Sequence, residues 1–269
     1  MTRPLISVIV ALALAAACGG ADSGLRLALQ ADVASAPAGT EAAALLAETA
    51  GVIQARLAAY GARAITVENE PDGRMVVAAA AIDMETLTRL TTEPGVLEFQ
   101  RPVTDKDGRV VCRTLDGQLF SVPALSVNPD PASRQLAHCF GVTHSGQAEW
   151  QPAALIDAND PSREYRLTAD LIEPGGWTVR EQPSPSLAVQ FTEEGGRILK
   201  GLTSALVGYP LGIFVDGRLI AAPEIQRPIT NGTAVITGIS LEEARILAAE
   251  LNFGPLPLTV TMAQGAASP

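Results

Sequence analysis

Two neighbouring stretches decide the fold: LAVQFTEEG at 187–195 and LGIFVDGRLIAAPE at 211–224. In the first, apolar residues alternate along Leu187–Phe191, which predicts a half-buried strand, and Thr192 can then cap a helix. In the second, Asp216-Gly217 lies between two apolar runs and is typical of a tight hairpin turn. The two stretches therefore predict a strand, a helix and a β-hairpin, in that order.

The same kinds of element continue toward the carboxyl end of the chain. Thr233–Thr237 has the composition of another short strand. Ser240 and Glu243 form a capping box at the start of a helix that reaches Asn252, and Leu258–Met262 predicts a last strand. Residues 166–262 are thus predicted to form one α+β lobe.

The amino-terminal part of the chain predicts elements in a similar order. They are a strand at 25–30, a helix at 40–60, a hairpin at 65–81, a helix at 83–90 and a strand at 96–100. The order βαββαβ is that of the ferredoxin-like unit. The predicted fold is therefore α+β, with two ferredoxin-like lobes of antiparallel sheets at 24–101 and 166–262.

Residues 102–165 lie between the predicted lobes and show no sustained periodicity. Many prolines, both histidines, Cys112 and Cys139 fall in this stretch. We interpret it as an irregular insert or linker with little secondary structure of its own.

The first 18 residues resemble an export signal. Arg3 precedes an apolar run from Leu5 to Ala17, which is too short to span a bilayer comfortably. The run ends in Ala-Ala-Ala-Cys18, which resembles a bacterial lipobox. We expect Cys18 to be lipidated and to anchor the chain in the periplasm, at the inner leaflet of the outer membrane in a Gram-negative cell. Cleavage at a plain Ala-x-Ala site is the alternative.

The overall charge of the chain excludes one class of partner. The formal net charge is −10 and the sequence pI is about 4.7. Nucleic-acid binding requires clustered Lys and Arg to displace counterions from phosphates, and the sequence contains no basic run. Nucleic acid is therefore not an expected partner, and charge alone does not favour adsorption to anionic lipid.

Eight different short motifs follow one another along the two predicted lobes. They are RLAAYG at 56–61, PGVLEF at 94–99, YRLTAD at 165–170, LAVQFTEEG at 187–195, IFVDG at 213–217, AAPEI at 221–225, ITNG at 229–232 and LNFGPLP at 251–257. In order and spacing they resemble the first periplasmic domain of SecD, the protein-export accessory factor. The resemblance implies a two-lobed periplasmic domain that swings about a hinge while it holds exported polypeptide. SecD proper continues into a helical membrane domain, and we expect this chain to act as a stand-alone lipoprotein without one.

The two cysteines of the insert have two interpretations. In an oxidising periplasm two thiols most often pair, so we expect a Cys112–Cys139 disulfide. The alternative is a metal site that adds His138 and His144. Adjacent His138 and Cys139 are awkwardly spaced for two ligands of one ion, so no metal is expected.

The sequence offers little support for catalysis. His144-Ser145-Gly146 lacks the Gly-x-Ser-x-Gly frame of a nucleophile elbow, and no glycine-rich phosphate loop is present. We expect no enzymatic activity and no cofactor. A hydrolytic or metal-binding protein centred on the insert is retained as a second alternative.

The leading functional hypothesis is a noncatalytic module that binds exported or unfolded polypeptide and assists protein export or envelope protein biogenesis. We expect its client contacts at Asp216, Gly217, Ala222, Pro223 and Glu224, because short strand edges accept extended peptides. Sec translocon components are the expected protein partners, and the lipid anchor is the expected membrane contact. The first alternative is a structural envelope lipoprotein that binds one fixed protein partner.

Overall fold

The chain has an α+β fold with antiparallel sheets, which confirms the predicted fold class. The computed structural model describes residues 24–37, 41–123, 127–129, 137–140, 145–157, 159–160 and 162–263. The helices are α1 Ala42–Tyr60, α2 Met84–Thr92, α3 Glu193–Ala205 and α4 Leu241–Asn252. The strands are β1 Leu25–Ala31, β2 Arg63–Asn69, β3 Arg74–Ala80, β4 Leu97–Pro102, β5 Val110–Arg113, β6 Leu119–Val122, β7 Val127–Pro129, β8 Ala137–Phe140, β9 Ser145–Ala148, β10 Trp150–Pro152, β11 Ala154–Ile156, β12 Glu164–Arg166, β13 Ile172–Arg180, β14 Ser186–Phe191, β15 Gly212–Val215, β16 Arg218–Ala221, β17 Thr233–Thr237 and β18 Val260–Met262.

The first sheet has the strand order β18-β1-β3-β2, and with α1 and α2 it forms what we call the first lobe. Alternate residues of β1 and β3, such as Leu27, Leu29 and Val77, are buried in its core. The order is ferredoxin-like, but the position of the fourth strand is taken by β18, from the far end of the chain. The second lobe is therefore inserted into the first.

The strand predicted at 96–100 belongs to a different sheet from the one expected. It forms β4, which pairs with β10 and β15 in the order β10-β4-β15-β16. Its apolar residues Leu97 and Phe99 are buried in the second core, where the Phe99 ring lies 5.9 Å from that of Phe191. A period of two indicates which residues of a strand are buried, but it does not say which strand becomes its neighbour.

Two sheets and α3 surround the core of what we call the second lobe. One sheet has the order β13-β14-β17, and the other is the sheet that contains β4 and β15. Thr192 caps α3 as predicted, because its hydroxyl accepts the backbone N–H of Gly195. The hairpin turn at Asp216-Gly217 is also confirmed, since both residues have positive φ, 52° and 71°.

The prediction that the insert has little regular structure is wrong. Among the described residues, β5–β9 form an antiparallel sheet in the order β6-β5-β9-β8-β7. Its small core includes Val110, Cys112 and Cys139, and it packs on the second lobe through Phe214, Leu219 and Ala222. Strands of three or four residues are too short to show a clear period in the sequence.

Helix α4 serves both lobes. Its Ile246 and Ala249 belong to the first core, whereas Ala244, Leu247 and Leu251 belong to the second. Among the described residues, α1 is the one helix that is long and apolar enough to cross a membrane, by length and composition alone. Residues on one of its faces are nevertheless buried within the first lobe.

Candidate functional site

An apolar groove of about 200 Å³ opens on the surface of the second lobe. Its deeper residues are apolar and come from several elements: Phe99 of β4, Phe191 of β14, Leu199 of α3, and Leu211 and Ile213 beside or within β15. One wall is β17, and the opposite rim is the segment 223–229 that follows β16. A surface groove with this lining can hold an apolar side chain of a bound molecule.

Strand β17 leaves backbone groups available along one side of this groove. It pairs with β14, and no described strand pairs with its other edge. Phe191 N–H donates to Gly232 O, and in an antiparallel ladder the hydrogen-bonded pairs then continue at Ala234 and Ile236. The N–H and C=O groups of Val235 and Thr237 therefore point away from β14.

Val235 is an exposed apolar residue of this edge. Its side chain is 40% exposed, although it is a large apolar residue on a strand that lines a groove. Thr233 differs, because its N–H donates to the Asn231 side chain at 3.2 Å. The edge thus offers Val235 and Thr237 as positions where an extended chain could add to the sheet.

The five predicted client-binding residues are separated in the structure. Pro223 and Glu224 are exposed and lie on the rim of the groove. Ala222 is only 6% exposed and packs in the small core beneath the insert. Asp216 and Gly217 form the turn at the other end of the hairpin, away from the groove rim.

Asp216 holds the two lobes together at this turn. Its carboxylate accepts the backbone N–H groups of Gly95 and Val96, at 2.9 and 2.8 Å. Its own N–H donates to Val96 O at 2.9 Å. These bonds give Asp216 a structural partner in the connection from α2 to β4.

Most of the residues that line the groove were not selected from the sequence, among them Phe99, Phe191 and Val235. Phe99 and Phe191 carry the signal of buried strand residues and nothing more specific. Val235 lies in a recognisable strand, but which edge of that strand remains unpaired depends on the tertiary fold. The sequence therefore predicted the strand that contains Val235, but it did not show that one edge of this strand lies unpaired beside a groove.

The predicted cysteine pair forms a disulfide in the structure. Cys112 of β5 and Cys139 of β8 are joined with a Cα–Cα distance of 6.2 Å, and both residues are fully buried. The bond crosses β9, which lies between those strands. Oxidised cysteines do not supply the thiolates of the alternative metal site, and no cluster of three or more potential ligands occurs within the described residues. His144, like Cys18, lies outside the described residues.

A charged cluster lies where α2 meets α4. Arg89 donates to Glu243 and Glu250, with N–O distances of 2.9 Å to each. Burial raises the pKa of the Glu250 carboxyl, and the neighbouring Arg89 opposes that rise. Burial alone would lower the pKa of Arg89, but the two carboxylates raise it overall. Arg89, Glu243 and Glu250 thus bind one another across α2 and α4, so they do not form a free acid–base couple.

Comparison with known proteins identifies the segment that contains the groove. Residues 162–258 match the family model for the SecDF P1 head subdomain. These residues are similar to the SecDF P1 head subdomain, and we call them the head segment. All the residues that line the groove, except Phe99, lie within this head segment.

SecD and SecDF proteins match a larger part of the chain than the family model does. Protein translocase subunit SecD of Dictyoglomus turgidum is 35% identical over 108 residues, which are 40% of this chain and 27% of that protein. Protein translocase subunit SecDF of Thermus thermophilus is 28% identical over 246 residues, which are 90% of this chain and 30% of that protein. The chain is SecD-like, and it spans less than a third of the length of these two relatives.

Solved structures agree with these relatives beyond the head segment. The crystal structure of SecDF in a super-membrane-facing form matches with a TM-score of 0.58 and 25% identity, over 90% of this chain and 30% of that one. A second structure, of a SecDF membrane component described as enhancing protein export, matches with a TM-score of 0.54 and 24% identity. It covers 91% of this chain and 100% of that one, and shares the fold.

Proposed function

We propose that this protein is a noncatalytic periplasmic module of protein export, which binds exported polypeptide in an extended form along β17. The single observation that carries the proposal is the unpaired edge of β17 beside an apolar groove, within the P1 head segment. The likeness to SecD and SecDF supports a role in protein export, which the fold alone would not do.

The chemistry of the groove supports an extended, unfolded client. Main-chain hydrogen bonds to a strand edge depend little on sequence, which suits a protein that meets many clients. The apolar interior adds affinity for one client side chain at a time. On the rim, Glu224 and Arg227 carry opposite charges, so they favour no single charge type in the client.

The amino-terminal sequence supports a proposal for the position of the module in the cell. We propose that Cys18 carries the lipid anchor and that the body acts in the periplasm, with Sec translocon components as protein partners. Pro223 and Glu224 are the predicted client-binding residues retained as direct contacts. Asp216 and Gly217 are proposed to act indirectly, by positioning the hairpin that carries the rim.

Site-specific photocrosslinking in living cells tests the proposal. A photoreactive residue at Val235 should capture newly exported polypeptides, and capture should fall when export is blocked. Phe253 is the matched control, because it is an apolar residue of the head segment with 41% exposure, against 40% for Val235, and it does not line the groove. Equal capture from both positions would show that the groove is not the binding site. Capture of one protein only, in all growth conditions, would favour the structural lipoprotein.

A further inference from the structure

Two segments of chain connect the first lobe to the second, and they touch each other. The outward segment, 93–96, runs from the end of α2 to β4, and the return segment, 253–257, runs from the end of α4 toward β18. Leu256 N–H of the return segment donates to Pro94 O of the outward segment at 2.9 Å. We call these two stretches the connecting segments.

One side chain of the first lobe binds both connecting segments. Arg56 of α1 donates through Nη1 to Glu93 O at 2.7 Å and through Nη2 to Pro94 O at 2.6 Å. The same Nη2 donates to Gly254 O, also at 2.6 Å. The planar guanidinium offers its donors in a fixed fork, so one rigid group sets the spacing of the two segments.

Arg56 is buried, and its shortest hydrogen bonds are those to the connecting segments. The residue is 0% exposed, and among the described residues no carboxylate lies within ion-pair distance of it. Burial lowers the pKa of Arg56, while Glu250, Asp216 and Glu93 oppose that effect from further away. Burying a cation is unfavourable unless its donors are used. Here Nη1 and Nη2 donate to backbone carbonyls of the connecting segments, whereas the buried Nε has no hydrogen-bond partner among the described residues.

Gly95 shows how closely the guanidinium and the outward segment fit. A Cβ atom at Gly95 would lie 2.4 Å from Nη2 of Arg56, and the φ of Gly95 is +83°. On its other side the Gly95 N–H is bound by the Asp216 carboxylate of the second lobe. The outward segment is thus held by Arg56 from the first lobe and by Asp216 from the second.

We propose that Arg56 sets the orientation of the second lobe relative to the first, by holding both connecting segments at one point. Each lobe has its own core and α4 contributes to both, so loss of this contact should widen the range of angles between the lobes about α4 without unfolding either lobe. This inference does not depend on what the groove binds.

Hydrogen exchange and a distance measurement on the full chain test the proposal together. In Arg56→Met, the amides of Gly95, Val96 and Leu256 should exchange about tenfold faster than in the wild type, because their segments lose three charged hydrogen bonds. Amides of β3 and β14 should keep wild-type rates. Spin labels at Glu68 and Lys200, which are exposed and lie on different lobes, should show a broader distance distribution. Arg63→Met, an exposed arginine of β2, is the control and should change neither reading.

Results in the Arg56 variants can also contradict the proposal. Wild-type exchange at the three amides together with a wild-type distance distribution in Arg56→Met would overturn the proposal. If that variant unfolds the first lobe, Arg56→Lys decides, because it keeps the charge but has one nitrogen and cannot span all three carbonyls. A wild-type distribution in a folded Arg56→Lys would overturn the proposal, and a broadened one would support it.

Discussion

Asp216 and Val96 are joined twice, once in each direction. The Asp216 N–H donates to Val96 O at 2.9 Å, and the Val96 N–H donates to the Asp216 carboxylate at 2.8 Å. One residue lies in the hairpin turn of the second lobe and the other in the segment that leaves the first. Asp216 was expected to contact clients, but these bonds show that it links the second lobe to the segment that leaves the first. The tests of client binding are therefore directed at β17.

Replacing Val235 with proline should weaken polypeptide capture about tenfold. Proline removes the N–H that points outward from β17, and its ring obstructs an added strand, but it breaks no bond to β14. Val235→Ala keeps the N–H and is the matched control. Binding of an unfolded export substrate to the purified protein is the measurement. Equal binding by both variants would mean that clients do not add to this edge.

Two glycines separate the effect of backbone conformation from that of space. A Cβ at Gly51 or at Gly217 would meet no atom within 4 Å, but only Gly217 has a positive φ, +71°. Gly51→Ala in the middle of α1 should stabilise the fold by about 0.5–1 kcal/mol. Gly217→Ala should destabilise it by about 1 kcal/mol, and Gly217→Val by more. Urea unfolding measures both, and destabilisation of equal size would contradict this interpretation.

The cap of α2 should make part of the stability depend on pH. The backbone N–H of Thr86 bonds to the Asp83 carboxylate and lowers its pKa below the usual value, as does the Thr86 hydroxyl. Because the folded pKa is lowered, this stability is present above the unfolded pKa and is lost as the pH falls through the folded one.

Asp83→Ala tests this dependence directly. The substitution should cost about 1 kcal/mol at pH 7, and the difference from the wild type should shrink as the pH falls below about 3.8. Thermal unfolding of both proteins across that range is the measurement. A difference that stays constant with pH would show that the charged form of Asp83 contributes nothing special.

The disulfide should stabilise the insert more than the lobes. Cys112 and Cys139 are 27 residues apart, so the chain-entropy estimate gives about 3.5 kcal/mol, less any native strain. Double replacement by alanine should speed hydrogen exchange in β5 and β9 while β3 remains protected. Alkylation of the unreduced, denatured wild type should label neither cysteine. Two freely reactive thiols in exported protein would refute the pairing.

Cys18 should be lipid-modified in cells. Its thiol follows a run of small residues at the end of the apolar segment. Labelled palmitate should enter the wild type and should not enter Cys18→Ser, which should fractionate away from membranes. Recovery of unmodified wild-type protein from the soluble periplasm would exclude the anchor.

Local sequence signals determined the elements themselves. Alternation predicted β14, Thr192 caps its helix as expected, and Asp216-Gly217 forms the expected turn. These features depend on residues a few positions apart, because caps, turns and strand periods are satisfied by nearby backbone groups. For the same reason the α+β class could be read without coordinates.

The pairing of strands was decided only by the tertiary structure. Strand β4, which was expected in the sheet of the first lobe, pairs in a sheet of the second lobe, and β18 occupies the expected position of β4. The short strands of the insert form a sheet that the periodicity of the sequence did not predict. The groove depends on this exchange, because Phe99 reaches it on β4. An alternating strand specifies which face is buried, but both its edges can hydrogen-bond, and which neighbour they meet depends on packing between segments more than a hundred residues apart.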